Sequence, residues 1–323
     1  MGLQIYEEEV KGYQEEPGVT HIAILQGITA IDDHAFWECR KIASVSIPDS
    51  VTYIGDTAFF GCTGLQSVVI PQSVQHIGMH AFAGCVNLRS VTICNSEISL
   101  ESGVFKGTAW LEECRDDFVC SGSVLVSYKG NAQNVIIPEG IANVGGFTFH
   151  QNQLQSVTFP ESAKYIDAYA FSECPNLTSV MIPGSVTRIG NHAFQGCSQL
   201  QKAVIGDGVE IIEEGAFMHC QKLSKLTLGN RVATIENNAF YGCGSLESVT
   251  FPDSVVSIGE EAFNFCKSLT SVTFGRGIQN VADYAFYMCP HLKHVEIPVH
   301  IPMLSENVHK PAHENASELF QNP

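Results

Sequence analysis

The sequence predicts a repeat solenoid, a right-handed superhelix with a parallel β-sheet on one face, short helical turns on the other and one inserted β-hairpin. Three observations point there. Phenylalanines, most preceded by alanine, return at a period of 23 residues; a cysteine stands three residues after most of them; a short alternating apolar run follows. The ladder phenylalanines are Phe36, Phe59, Phe82, Phe171, Phe194, Phe217, Phe240, Phe263 and Phe286, with weaker copies at Phe105 and Phe149. One such coil cannot bury its own apolar edge, so a fixed period of this length implies that coils stack into a continuous core.

Each part of the unit has a mechanical reading, illustrated by residues 50–71. Leu65, Val68 and Ile70 alternate as in a short strand with one buried face. Pro71 lacks an amide donor and turns the chain out of the sheet. Val74 and Ile77 then point back inside as the chain crosses over. Ile54, Ala58 and Cys62 are spaced by four, which predicts one or two helical turns around Ala-Phe. Asp33, Asp56, Asn191, Asn237 and Asp283 precede those turns as caps for free amides. Gly61, Gly84, Gly196 and Gly242 close them, where a left-handed residue is needed. Twelve parallel strands are expected, from Ile22–Ile24 to Val295–Ile297.

The period breaks once, with 44 residues between Phe105 and Phe149. Residues 114–134 have no place in the unit and read as strand, turn, strand, turn, a β-hairpin projecting from the solenoid. The expected organisation is an acidic lead-in or cap over 1–18, repeats over 19–113, the hairpin over 114–134, repeats over 135–298 and a tail or cap over 299–323.

The unit Leu-x-x-Val-x-Ile-Pro-x-x-Val-x-x-Ile-Gly-x-x-Ala-Phe-x-x-Cys-x-x-Leu resembles the 23-residue repeat of BspA-like leucine-rich-repeat proteins. The likeness runs from about Val19 to Pro298. The insert, with Gly122, Ser123, Val124 and Leu125 followed by Tyr128, Gly130 and Asn131, also looks like inserts of that family. The resemblance implies a bacterial leucine-rich-repeat protein of a kind often linked to cell adhesion through host proteins.

Composition narrows the function classes. Lys and Arg total 17 against 34 Asp and Glu, a formal net charge of −17, so the surface repels phosphate backbones and anionic headgroups. Neither nucleic acid nor membrane insertion is expected, since no apolar run reaches the length of a spanning helix. The acidic opening MGLQIYEEEVKGYQEEPG has no apolar core. The expected location is the cytoplasm as the sequence stands, or the cell surface or medium if an export signal has been removed.

Chemistry-bearing residues read mostly as structure. Cys39, Cys62, Cys85, Cys174, Cys197, Cys220, Cys243, Cys266 and Cys289 share one repeat position, so their side chains point the same way and behave as small buried hydrophobes rather than disulfide partners. Cys114 and Cys120, at the start of the hairpin, are the one pair left open. Cys289, His291 and His294 lie close in sequence but diverge in direction, and no metal or other cofactor is expected. His34, His80 and His192 are read as exposed helix positions. No nucleophile–base–acid set or phosphate loop is apparent, so the chain is expected to be a non-catalytic scaffold for a protein or glycan partner, or else a passive spacer. The candidate contact residues are Lys202, Lys225 and His294 on the outward strand positions, and Tyr128 and Lys129, read as lying near the hairpin tip.

Overall fold

A computed structural model describes residues 2–296. Ile297 and the expected tail over 299–323 lie outside them. The chain forms two compact units, one of the residues up to Gly130 with Ala142–Thr148, the other of Asn131–Ile141 with those from Phe149 onward.

In the first unit the repeat strands His21–Ala23, Ser44–Ser46, Ser67–Ile70 and Ser90–Ile93 form a four-stranded parallel sheet. In the second, Asn134–Ile136, Ser156–Thr158, Ser179–Ile182, Lys202–Ile205 and Lys225–Thr227 form five strands. A separate three-stranded segment follows, made of Ser248–Thr250, Ser271–Thr273 and His294–Glu296. These are the strands the repeat predicts, parallel and paired at the 23-residue period except between Asn134–Ile136 and Ser156–Thr158, where the offset is 22. Within each unit we call these strands the first sheet.

A second parallel ladder was not foreseen. Tyr53–Ile54 pairs with His76–Ile77, and Arg188–Ile189 with Ile211–Ile212 and then Thr234–Ile235. Each strand has two residues, too short to show alternation. Its one inward residue (Ile54, Ile77, Ile189, Ile212 or Ile235) is fully buried, so the crossover is a sheet rather than a connection.

The expected helical turns are also corrected. Around each ladder phenylalanine the amides alternate between two partners. The N–H groups of His34, Phe36 and Glu38 donate to the carbonyls of Asp56, Ala58 and Phe60 in the next coil. Those of Ala35, Trp37 and Cys39 donate three residues back along the chain. An α-helix would send every amide back within its own segment. Here alternate ones cross between coils because the residues two before and two after the phenylalanine take left-handed backbone. His34 (φ 60°), Thr57 (φ 52°), Glu38 (φ 52°) and Gly61 (φ 68°) are examples. The four closing glycines fill the second of these positions as predicted. The acidic and amide caps serve a different amide from the one expected: Asp33 Oδ1 accepts from Asp56 N–H (2.8 Å), Asp56 Oδ1 from Met79 N–H (2.7 Å) and Asn237 Oδ1 from Glu260 N–H (2.8 Å). Each links its coil to the next. A side chain at Gly55 would strike the Asp33 backbone, which accounts for the Ile-Gly pair.

Inside, the phenylalanine rings stack face to face. Phe36–Phe59–Phe82–Phe105 runs through the first unit with centroids 4.7, 4.9 and 5.5 Å apart. Phe149 to Phe286 runs through the second, with Phe217–Phe240 at 5.2 Å and 1° between planes. The cysteines three residues after the ladder phenylalanines line the same core. Cys62 Sγ donates to the Phe36 carbonyl (3.0 Å), and Cys85, Cys174, Cys197, Cys220, Cys243, Cys266 and Cys289 repeat this contact one coil back. Burial pushes the Cys39 thiol up to about 11 and holds those of Cys220, Cys243 and Cys266 above the ordinary thiol range.

The insert does not project. Phe118–Ser121 and Val124–Tyr128 pair antiparallel, and the second strand joins Asn143–Val144 in parallel. Val119, Val124 and Leu125 are buried, and Ser121 Oγ accepts from Ile93 N–H (2.8 Å) while donating to the Val91 carbonyl (3.1 Å). The hairpin therefore stands in for part of a coil. Before it lies Ala109–Glu112, the sole α-helix among the described residues, capped by Thr108. A second antiparallel pair, Leu3–Tyr6 with Glu9–Tyr13, was not expected. It caps the first unit, pairing in parallel with Ala30–Ile31 and laying Tyr13 against Phe36 (5.6 Å).

Two outcomes test this packing. Phe240→Ala should cost about 3–5 kcal/mol, because it removes a fully buried ring and leaves a cavity. Stability in a solenoid is nearly a sum of neighbouring terms, so hydrogen exchange should rise around Phe217 to Phe263 and hold steady around Phe59; uniform loss would refute local coupling. The buried column thiols should resist alkylation in native protein, with Cys94 the readiest to react, and all twelve should titrate after denaturation without reductant. Because burial raises the folded pKa of Cys39, its contribution to stability is complete below the ordinary thiol pKa of about 8.5 and is lost as pH rises toward about 11, and Cys220, Cys243 and Cys266 shift in the same direction. A melting temperature flat across that window would contradict the assignment.

Candidate functional site

Three surfaces could meet a partner: the outward side of the first sheet, that of the second ladder, and the turn edge. On the first sheet the outward columns follow directly from strand alternation. In the second unit one column runs Ser156, Ser179, Lys202, Lys225 in register, and on the three-stranded segment Ser248, Ser271, His294. The column beside it holds Ile136, Thr158, Met181, Val204 and Thr227.

Lys202 and Lys225 are direct Cα partners on adjacent strands, about 4.8 Å apart, and both are exposed. His294 is also exposed but stands three coils beyond Lys225, about 14 Å along the stack, so the three do not form one patch. Beside the lysines, Met181 is 66% exposed and Val204 half-buried, and Ile136 reaches 72% on the first strand of the same sheet.

The hairpin candidates sit elsewhere than expected. The turn is at Gly122, and Tyr128 pairs with Phe118 at the open end of the hairpin, not near the tip. Tyr128 is 8% exposed, and its ring packs on Phe118 at 5.0 Å. Lys129 Nζ donates to the carbonyls of Leu111 (3.1 Å), Glu112 (3.3 Å) and Cys114 (2.7 Å). It thereby satisfies the orphan acceptors at the end of the short helix. A buried ring and a lysine so engaged are explained by the fold. Nearby, a cavity of about 210 Å³ is lined chiefly by Leu100, Val104, Phe105, Leu111, Val126 and Phe147.

The turn edge holds what the sequence reading missed. The outward residue after each ladder phenylalanine is often aromatic: Trp37 stacks on Phe60 at 4.6 Å and on His34 at 5.2 Å, and Tyr241 meets His219 at 5.3 Å. The signal was the ring repeated at one offset from the ladder. His80 and His192 are half-buried rather than exposed, lying over Gly103 and Gly215 of the next coil. Burial lowers the His192 pKa, and its ring contacts Tyr169 at 4.9 Å. On the second ladder, Tyr53 stacks on His76 and Arg188 lies over Tyr165. A shallow groove of about 420 Å³ there is lined by Glu214, Thr234, Glu236, Asn237, Ser257 and Asn280 among others.

Among the described residues no three His, Cys, Asp or Glu side chains cluster as a metal site would need, and no helix is long and apolar enough to cross a membrane. Regular stacking sets like side chains in columns instead of converging unlike groups on one point.

The comparisons with known proteins agree with the architecture. No curated protein matches the sequence. Among solved structures, a leucine-rich repeat protein from Eubacterium ventriosum shares 19% identity over 84% of this chain and 89% of its own, with a TM-score of 0.52, and so shares the fold. The Leucine Rich Repeat protein of T. pallidum is 27% identical over 58% of this chain and 89% of its own (TM-score 0.46). A leucine rich cell surface protein from Faecalibacterium prausnitzii is 24% identical over 89% of each chain (TM-score 0.32). The BspA type leucine rich repeat region, in six copies, matches residues 11–115, 125–243 and 187–314. The phenylalanine and cysteine columns, the parallel ladders and this match over most of the length agree, and the chain belongs to the BspA-type leucine-rich repeat family.

Proposed function

We propose that the protein is a non-catalytic interaction scaffold that engages a protein or glycan partner, in an adhesion-type contact, through the outward side of the first sheet. Membership in a family of repeat scaffolds supports the class, and columns of like residues offer an extended surface rather than a reaction centre. The observation that carries the reading is the aligned Lys202–Lys225 pair beside Met181 and Val204, which interrupts outward columns made mostly of serine and threonine. Lys129 and Tyr128 have structural work at the base of the hairpin and give the weaker case.

One observation favours a second reading. Ser67, Ser90, Ser156, Ser179, Ser248 and Ser271 recur at one outward position, with Thr92, Thr158, Thr227, Thr250 and Thr273 two residues on. So uniform a face is sufficient for a passive spacer.

An array of purified extracellular-matrix proteins and glycans, probed with the labelled full chain, separates the two. The scaffold should bind at least one member saturably, with unlabelled chain competing. Absence of any saturable binding would leave the spacer as the better account.

A further inference from the structure

We infer that the surface around Lys202 and Lys225 takes an acidic polypeptide segment that also carries apolar side chains. The inference rests on the scaffold reading above and names the chemistry of its partner.

Three independent features meet at this place. The first is charge. Like charges directly opposite on neighbouring strands repel, yet here two lysines occupy paired positions where the flanking strands carry Ser179 and Ser248. Neither ammonium has an ion-pair or hydrogen-bond partner among the described residues, although acidic residues outnumber basic ones two to one in the chain. Two cations of the neighbouring turns are engaged, Lys222 with Gln199 (2.7 Å) and Arg231 with Glu210, whereas the opposed pair is left to solvent.

The second feature is a seam. The first sheet of this unit is interrupted between Lys225–Thr227 and Ser248–Thr250. Leu226 and Leu228, at core positions, are only half-buried, whereas Ala203 and Ile205 one coil before and Val249 and Phe251 one coil after are buried. The third is the neighbouring column, where Met181 and Val204 put apolar surface beside the ammonium groups. Methionine adapts its shape readily to a partner.

Unpaired cations beside adaptable apolar side chains complement a segment that carries carboxylates and apolar groups together. An acidic glycan would satisfy the charge, but it would gain little from Met181 and Val204. The outward columns of this sheet also hold no Phe, Tyr or Trp ring on which a sugar could stack. A polypeptide fits both kinds of group.

Fluorescence anisotropy with a labelled short peptide alternating glutamate and leucine tests this on the full chain. Lys202→Glu with Lys225→Glu should weaken binding about tenfold or more, as expected for close charge pairs in contact. Lys225→Gln should give a smaller loss, and Met181→Ser should weaken binding with the melt unchanged. Lys267→Glu, an exposed cation elsewhere, controls for net charge and should have little effect. Four outcomes would overturn the inference: equal loss in the Lys267→Glu control, equal binding of a glutamate–serine peptide, tighter binding of polygalacturonate, or self-association that the double variant abolishes and the peptide does not compete. If the double variant loses the peptide but keeps its array ligand, the scaffold stands and uses another surface. If the native chain binds neither, both readings fall.

Discussion

Every coil of this protein must place each side chain one strand spacing above its equivalent in the coil before. That axial step, about 4.8 Å, is set by backbone hydrogen bonding and cannot be tuned by side chains. It selects what can fill the core. Aromatic rings stack favourably with centroids about 4.5–7 Å apart, so a phenylalanine column can match the backbone step with only a slight offset. The observed spacings of 4.7 to 5.5 Å lie in that overlap. The thiol column meets the same constraint differently, each Sγ reaching back to a phenylalanine carbonyl instead of to its own kind.

The same step explains the turn edge. Alternate amides can reach the next coil only if the backbone reverses its local twist, and the left-handed residues on either side of each ladder phenylalanine do so. Glycine accepts that conformation without strain, yet histidine, glutamate, threonine and tyrosine also occupy it here. A left-handed residue costs roughly 1–2 kcal/mol when it is not glycine. The cost is offset by a backbone bond to the next coil at each such position, as at His34 and Glu38. Bulky residues there constrain their neighbours in turn: with the His192 ring over it, Gly215 has no room for a side chain.

The parts of the fold legible in the sequence were those with one apolar residue type per period. Phe59, Cys62, Leu65, Val68 and Ile70 form columns that no other architecture explains, and all are buried. The errors came where spacing admits two conformations. Ile54, Ala58 and Cys62 lie four apart, which suits a helix and equally suits a turn that returns to the same wall of the core. Two-residue strands such as Tyr53–Ile54 leave no alternation to read. The candidate site was partly legible for the same reason. Strand alternation placed Lys202 and Lys225 correctly on the outward side and adjacent. Nothing local could show that Lys129 would turn back onto the carbonyls of Leu111, Glu112 and Cys114, because that contact depends on how the insert folds down.

A repeat protein thus separates its two kinds of information. What recurs at every coil is demanded by stacking, and its presence says nothing about a partner. What departs from the column does so against the stacking requirement and calls for a separate cause. Some departures have one within the fold: Gly215 makes room for His192, and Lys129 serves a helix end. The lysine pair has none, since two opposed ammonium groups lower stability slightly and satisfy no acceptor of the described chain. Leu226 and Leu228 sit in the same coil, half out of the core where their neighbours are fully in. An outward cation pair with no internal cause, in the coil whose inward Leu226 and Leu228 loosen where the sheet is interrupted, is better explained by a molecule outside the chain than by a defect of packing.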